Sequence, residues 1–168
     1  MKRILLIAAL AAILSIGAQA HIGWSLSDCQ ARYGAEVKPS KNTNSGEIHY
    51  FAVPAAGMTL SVILRNDKVK SIIYRKAGEK FSIDEIDILQ KLNQKEILGC
   101  EGIKWIEETD TPSFVRVWDL TRDGDGQLQA MLTNGDLNDQ KFEIRTWDQI
   151  EVETKAVRLD KLDQLKGL

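Results

Sequence analysis

Histidine and cysteine are scarce in this chain, with two of each among 168 residues. That scarcity excludes much chemistry. There is no Cys-x-x-Cys pair, so neither a thioredoxin-like redox motif nor a zinc knuckle is encoded. A His-Glu-x-x-His zinc motif, a Gly-x-Ser-x-Gly nucleophile elbow and a glycine-rich phosphate loop are also missing. Lys and Arg are scattered rather than massed, and the formal net charge is −2. Nucleic-acid binding needs clustered cations to neutralise phosphates, so no nucleic-acid partner is expected. Long apolar runs are limited to Ile4–Ala18, which is shorter than the ~20 residues of a membrane-spanning helix.

That run is the most informative stretch present. Lys2 and Arg3 precede it and Ala18-Gln19-Ala20 closes it. A basic start, an apolar middle and a small-x-small end are the parts of a bacterial-style secretory signal peptide. The expected organisation is a signal peptide at 1–20 and one mature domain at 21–168, periplasmic or secreted, with no span after cleavage. Asp28 directly before Cys29 does not suit a lipid-attachment site. Loss of Lys2 and Arg3 takes the formal charge from −2 to −4.

Export changes the meaning of Cys29 and Cys100. An even count in an oxidising compartment makes a disulfide the leading reading, with two separate buried thiols as the alternative. Closing a loop of about 70 residues would stabilise by roughly 4 kcal/mol on the chain-entropy account.

Two helix starts share a pattern, Trp24-Ser25-Leu26-Ser27-Asp28 and Phe81-Ser82-Ile83-Asp84-Glu85. In each, a serine hydroxyl can accept from an unpaired backbone N–H while an acidic residue three positions on reaches back. Helices are predicted at 25–33, ended by Gly34, and at 82–92, where Ile83, Ile86, Leu89 and Leu92 form a stripe. Period-2 alternation predicts strands at 47–53, 58–65 and 69–74 after the first helix. After the second, strands are predicted at 104–107, 114–120 and 127–132, with an additional one at 141–146. Lys38–Gly46 reads as a loop, and Arg65–Lys68 and Asp123–Gly126 read as matching hairpin turns. The expected fold class is α+β, with two helix-plus-antiparallel-sheet halves at about 21–79 and 80–148. The offset of 57 residues from Ser25 to Ser82 raises a tandem duplication, although an α+β chain of this size can carry two capped helices without one. The tail, 149–168, has Ala156, Leu159, Leu162 and Leu165 at three-residue spacing and suggests a short C-terminal helix.

A capped helix followed by antiparallel strands with an Asn-Asp-Lys-Val hairpin, done twice, resembles the beta-lactamase-inhibitor-protein-like group, including SmpA/OmlA-type envelope domains. The residues carrying the resemblance are Ser25–Gly34 with Met58–Tyr74, and more loosely Ser82–Leu92 with Phe114–Leu132. The lipid-attached cysteine of the envelope lipoproteins has no counterpart here. What the resemblance implies is an architecture and a binding style, with a protein or cell-envelope component as partner.

Three groups of residues invite a site. Cleavage after Ala20 would make His21 terminal, and an N-terminal histidine with His49 could bind copper through amine and imidazole nitrogens. The plainer reading is that both are ordinary structural residues. Asp119, Asp123 and Asp125 suggest calcium, but Ala130 or Leu132 falls where an EF-hand loop needs glutamate, so a glycine-rich turn is favoured. Glu107-Glu108-Thr109-Asp110 reads as a solvated loop. Of the four tryptophans, Trp118 is expected in the core on one face with Phe114 and Leu120, while Trp105 and Trp147 are the candidates for a partly exposed binding surface. The leading expectation is a non-enzymatic protein that binds through a sheet face. The alternatives are a small extracellular copper protein or enzyme using His21, and an envelope stability factor.

Overall fold

Serine starts both of the helices that cover the sheet. In the computed structural model, which describes residues 21–53, 57–76, 78–94, 104–122, 125–134 and 140–166, helix α1 spans Leu26–Tyr33 and α2 spans Ile83–Gln94. At α1, the Asp28 N–H donates to Ser25 Oγ at 3.3 Å and the Ser25 N–H donates to Asp28 Oδ2 at 2.9 Å. At α2, the Glu85 N–H donates to Ser82 Oγ at 3.2 Å and the Ser82 N–H to Glu85 Oε2 at 2.8 Å. Both reciprocal caps are therefore formed. Gly34 closes α1 with φ +81°, its N–H donating to the Gln30 carbonyl at 2.9 Å.

Four strands follow each helix: β1 Lys38–Thr43, β2 Gly46–Val53, β3 Met58–Arg65 and β4 Lys68–Lys76, then β5 Trp105–Glu107, β6 Val115–Arg122, β7 Asp125–Asn134 and β8 Gln140–Thr146. They form one antiparallel sheet in the order β1-β2-β3-β4-β8-β7-β6-β5. Each half is thus a meander, and the two meanders join where β4 pairs with β8. Helix α3, Trp147–Lys166, follows β8 directly.

The residues predicted as a loop at 38–46 instead supply an edge strand and its turn. β1 carries Lys38, Pro39 and Lys41, and its ladder is interrupted between Lys38 and Lys41. Lysine, proline and a bulge are the devices that keep an edge strand from pairing further, so this composition reads as loop although the backbone is extended. Recognising β1 changes the match between the halves. By position in the meander, β3 corresponds to β7 and β4 to β8. The strand at 141–146 is the counterpart of 69–74 and not an addition. The 57-residue offset therefore holds for the helix starts and not for the strands. The turn after Arg65 places Asn66 and Asp67 at φ +54° and +57°, a type I′ hairpin as its sequence demands. The Asp123-Gly124 turn lies outside the described residues and joins β6 to β7, the equivalent of the β2–β3 connection.

Strand alternation creates two unlike faces. On one, Phe51, Leu60, Tyr74 and Phe142 lie along one continuous ladder row. Cys29 of α1 and Ile86 and Leu89 of α2 pack into the same core cluster, with Trp118, Leu120 and Ile144. Burying such side chains contributes about 1.5–3 kcal/mol each. Phe142 is the hub, with the rings of Tyr74, Phe81 and Trp118 at 6.0–6.3 Å. Trp118 and Leu120 are buried as expected, but β6 begins at Val115 and Phe114 is exposed. The place two residues before Trp118 is taken by Arg116, whose guanidinium lies 4.8 Å from the Trp118 ring.

Candidate functional site

The other face of the sheet carries no helix from α1 or α2. One ladder row crosses it through Tyr50, Ser61, Ile73, Glu143, Met131 and Val117. A second row holds Thr59, Arg75, Lys141, Thr133 and Val115. Tyr50, Ile73, Met131 and Val115 are half-buried. They offer apolar surface without belonging to the described core cluster.

At the centre of this face Glu143 is only 4% exposed. Ser71 Oγ donates to its Oε1 at 2.8 Å and Lys141 Nζ donates to its Oε2 at 2.8 Å. A buried carboxylate is tolerated when both oxygens are satisfied in this way. The arrangement is a fixed polar pedestal between two half-buried apolar neighbours in its row, Ile73 and Met131.

Helix α3 crosses one end of the same face. Asp148 pairs with Arg65 and, at 3.1 Å, with Lys70. Burial works against the Asp148 carboxylate, but Thr146, Lys70 and Arg65 outweigh it and hold its pKa below the ordinary value. Gln149 is fully buried and donates to the Ser45 carbonyl and to Glu153 Oε1, both at 3.0 Å. Arg145 donates to Glu153 Oε2 at 2.8 Å and to Gln129 Oε1 at 3.0 Å. The C-terminal helix expected for the tail is present. Val157 and Leu159 are exposed, and within 147–159 no side chain joins the core cluster, those of Leu162 and Leu165 lying outside the described ones. The expected three-residue stripe therefore does not form a core-packing face at Leu159.

At the β5–β6 end, Gln129 Nε2 donates to Asp119 Oδ1 at 3.2 Å. A hydrogen bond with Asp119 raises the pKa of Glu108 above its usual range. Glu107, read from sequence both as the end of a strand at 104–107 and as the start of a solvated loop, ends β5 and is gripped by Arg116 through two hydrogen bonds of 2.7 and 2.9 Å, which lower its pKa.

The residues singled out from sequence are distributed elsewhere. His21 is buried, edge-on to Trp24 at 4.8 Å. His49 is buried on the helix-covered face, its Nδ1 3.0 Å from Glu36 and its Nε2 3.5 Å from Glu47. Among the described residues no group of three or more His, Cys, Asp or Glu side chains could hold a metal ion. Asp119 faces Gln129 mid-strand, and Asp123 lies outside the described residues. Cys29 is completely buried, and burial pushes its thiol up to about 11. Its proposed partner Cys100 lies outside the described residues, as does the signal segment 1–20. Trp105 is half-buried on the helix-covered face, paired with Leu120 and packed on the core. Trp147, also half-buried, opens α3. Trp105 shares a row with Leu120, Leu128 and Thr146, so three strand spacings, about 14 Å, separate it from the residue before Trp147. Trp105 therefore contributes to the core side and not to the open face.

The open-face residues Lys38, Lys41, Tyr50, Ile73, Arg75 and Lys141 were not singled out from sequence. Their signal is the alternate positions within strands, and reading it requires the register between strands. No family model, curated protein or solved structure matches this chain.

Proposed function

We propose that this chain is an exported, non-enzymatic protein of the bacterial periplasm or exterior that binds a protein or envelope component through the open face of its sheet. The observation that carries the reading is the inequality of the two faces. One is sealed by α1 and α2 over a continuous core. The other presents Tyr50, Ile73, Met131 and Val115 half-buried and is crossed by α3 near one end. Apolar surface interleaved with fixed charged groups is the composition of a protein-recognition surface. The signal pattern of residues 1–20 supports export, and export in turn supports a Cys29–Cys100 disulfide. The helix-plus-meander order is in keeping with a beta-lactamase-inhibitor-protein-like architecture.

Two measurements test this. Fractionation with intact-mass analysis is expected to find a mature protein starting at His21 outside the cytoplasm. Photo-crosslinking residues substituted at Ser61 and Met131 on the open face are expected to capture a partner in cells, whereas one at Asp87 on α2 does not. Cytoplasmic retention of an unprocessed chain removes the export half of the proposal. Capture from Asp87 as strong as from Met131 removes the open-face half.

A further inference from the structure

Helix α3 is joined to the sheet differently from the other two. α1 and α2 send Cys29, Ile86 and Leu89 into the core cluster, whereas within 147–159 no side chain joins it. The described anchors of α3 are polar. Asp148 meets Arg65 of β3 and Lys70 of β4, and Glu153 meets Arg145 of β8. Gln149 donates to the Ser45 carbonyl, in the turn between β1 and β2, and to Glu153. The Asp148 side chain is 51% exposed, and ion pairs open to solvent hold weakly and are screened by salt.

The seat is also imperfect. Both partners of Gln149 are acceptors, which fixes the orientation of its amide and leaves Oε1 over. Gln149 Oε1, Arg145 Nε and Trp147 Nε1 are buried without a hydrogen-bond partner among the described residues. Each is a polar atom buried without compensation, which raises the free energy of the seated arrangement. Between the anchors runs the row Ile63, Ser71 and Arg145. Ile63 and Ser71 are buried, although Tyr50 and Ile73 in the next row are half-buried. α3 follows β8 with no connecting residue, and Thr146 is tied to the Lys70 carbonyl at 3.4 Å.

We propose that α3 is a strap over one end of the open face, opening as a unit about Thr146 and Trp147 and uncovering the row Ile63, Ser71 and Arg145 for the partner. The opening itself stands on the anchors of α3. Its role in binding rests on the open-face reading above and adds a control to it. Seated, the strap shortens the surface a partner can reach; open, it adds Ile63 and the Arg145 guanidinium to that surface.

The test is amide hydrogen exchange on the full mature chain. The amides of 149–158 are expected to exchange at one common rate, faster than those of β8 and faster still as salt rises. The double variant Arg65→Gln, Lys70→Gln removes the first anchor from the sheet side and leaves the helix sequence intact. It is expected to speed exchange in 149–158 by about fivefold or more, with the amides of α2 and the urea midpoint unchanged. Lys70→Gln alone gives the same reading if the double variant fails to fold. Asp148→Asn is expected to act likewise, and Asp87→Asn, which breaks the Asp87–Lys91 pair on α2, to leave 149–158 unchanged. Exchange of 149–158 only together with β8, in global unfolding, overturns the strap. A gradual fall-off from the C-terminal end overturns opening as a unit. Acceleration by Asp148→Asn without acceleration by the sheet-side variants also overturns it, because the effect then belongs to the helix and not to its seat. Capture from a photo-crosslinking residue at Met131 is expected to rise by about threefold or more in the sheet-side variant. Faster exchange with unchanged capture overturns the role in binding. Absence of capture in both proteins defeats the open-face reading, while the exchange result still decides the strap.

Discussion

Gly46 has the least room for a side chain among the described glycines. Its φ is +139°, and a Cβ there would stand 2.5 Å from the Leu64 carbonyl oxygen and 2.9 Å from Ile63 Cγ2. Both obstacles belong to a strand paired on both sides, and neither is the far end of a flexible side chain. Gly46→Ala is therefore expected to lower stability by about 2–3 kcal/mol, from strain and clash together. Gly34 has positive φ but open space around its Cβ position, so Gly34→Ala should cost less, about 1 kcal/mol. Urea titration of the two variants checks the order, and an equal loss would show that crowding at Gly46 is relieved by movement. The same close approach explains Ile63, an apolar residue at a place where the Met58–Arg65 alternation calls for a polar one. Its side chain is buried on the open side beneath Gly46, and the ladder to β4 shifts between Ile63 and Leu64. A second residue-scale outcome concerns Cys29. With no exposure and its pKa pushed up to about 11, a reduced Cys29 would be almost entirely thiol at neutral pH and inert toward alkylation. Peptide mapping after alkylation of the native and then the denatured, unreduced protein should find Cys29 unlabelled in the first. In the second it distinguishes a thiol, which labels, from the Cys29–Cys100 bond, which does not.

The two capping boxes are the elements most directly written in the sequence, because a cap depends on neighbours three positions apart and on nothing distant. Ser25→Ala and Ser82→Ala are each expected to cost about 1 kcal/mol. Their acidic partners give the caps a pH dependence. Hydrogen bonds from Ser25 lower the pKa of Asp28. At Glu85 burial opposes ionisation, but the backbone N–H of Ser82 and the Lys76 ammonium, 2.9 Å away, outweigh it and lower the pKa. A carboxyl with a folded-state pKa below its unfolded value stabilises fully above the unfolded value, about 4. That contribution is lost as pH falls through the lowered folded value. Stability measured from pH 6 down to about pH 2.5 should therefore decline, and Glu85→Gln should flatten part of the decline. An unchanged slope in Glu85→Gln would remove Glu85 as a source. β1 shows the opposite relation between sequence and element. Its lysines, proline and asparagine carry loop propensities, and only pairing with β2 makes it a strand. The place of Lys38 and Lys41 is hidden for the same reason, since they join the open face only once β1 exists. Trp105 is half-buried, and position beside a strand does not reveal which face such a side chain takes. Within β5, pairing with Leu120 decides it.

At the scale of the whole molecule, the pairing of β4 with β8 decides whether two meanders become one body. The halves could each be foreseen as helix plus strands, but no local pattern names the strand at which they meet. That choice follows from burial: Ile72 and Tyr74 of β4 lie opposite Ile144 and Phe142 of β8, and all four are buried. Phe142 is fully buried and has ring contacts to Tyr74 in the first half and to Phe81 and Trp118 in the second. A side chain shared in this way should make the halves unfold together. Far-UV circular dichroism and tryptophan fluorescence are expected to report one coincident urea transition in the unaltered protein. Phe142→Ala removes a ring from both halves at once and is expected to cost about 3–5 kcal/mol. If the joint is what couples the halves, the variant's two probes should begin to separate as well as shift. The fluorescence transition would then follow the half containing Trp105 and Trp118 more closely. Phe51→Ala is the matched comparison, because Phe51 is also fully buried but sits on β2 with its ring against Tyr33 of α1. It should lower stability by a similar amount while the probes stay coincident. Separation of equal size in both variants would mean that cooperativity depends on total core volume and not on the β4–β8 seam.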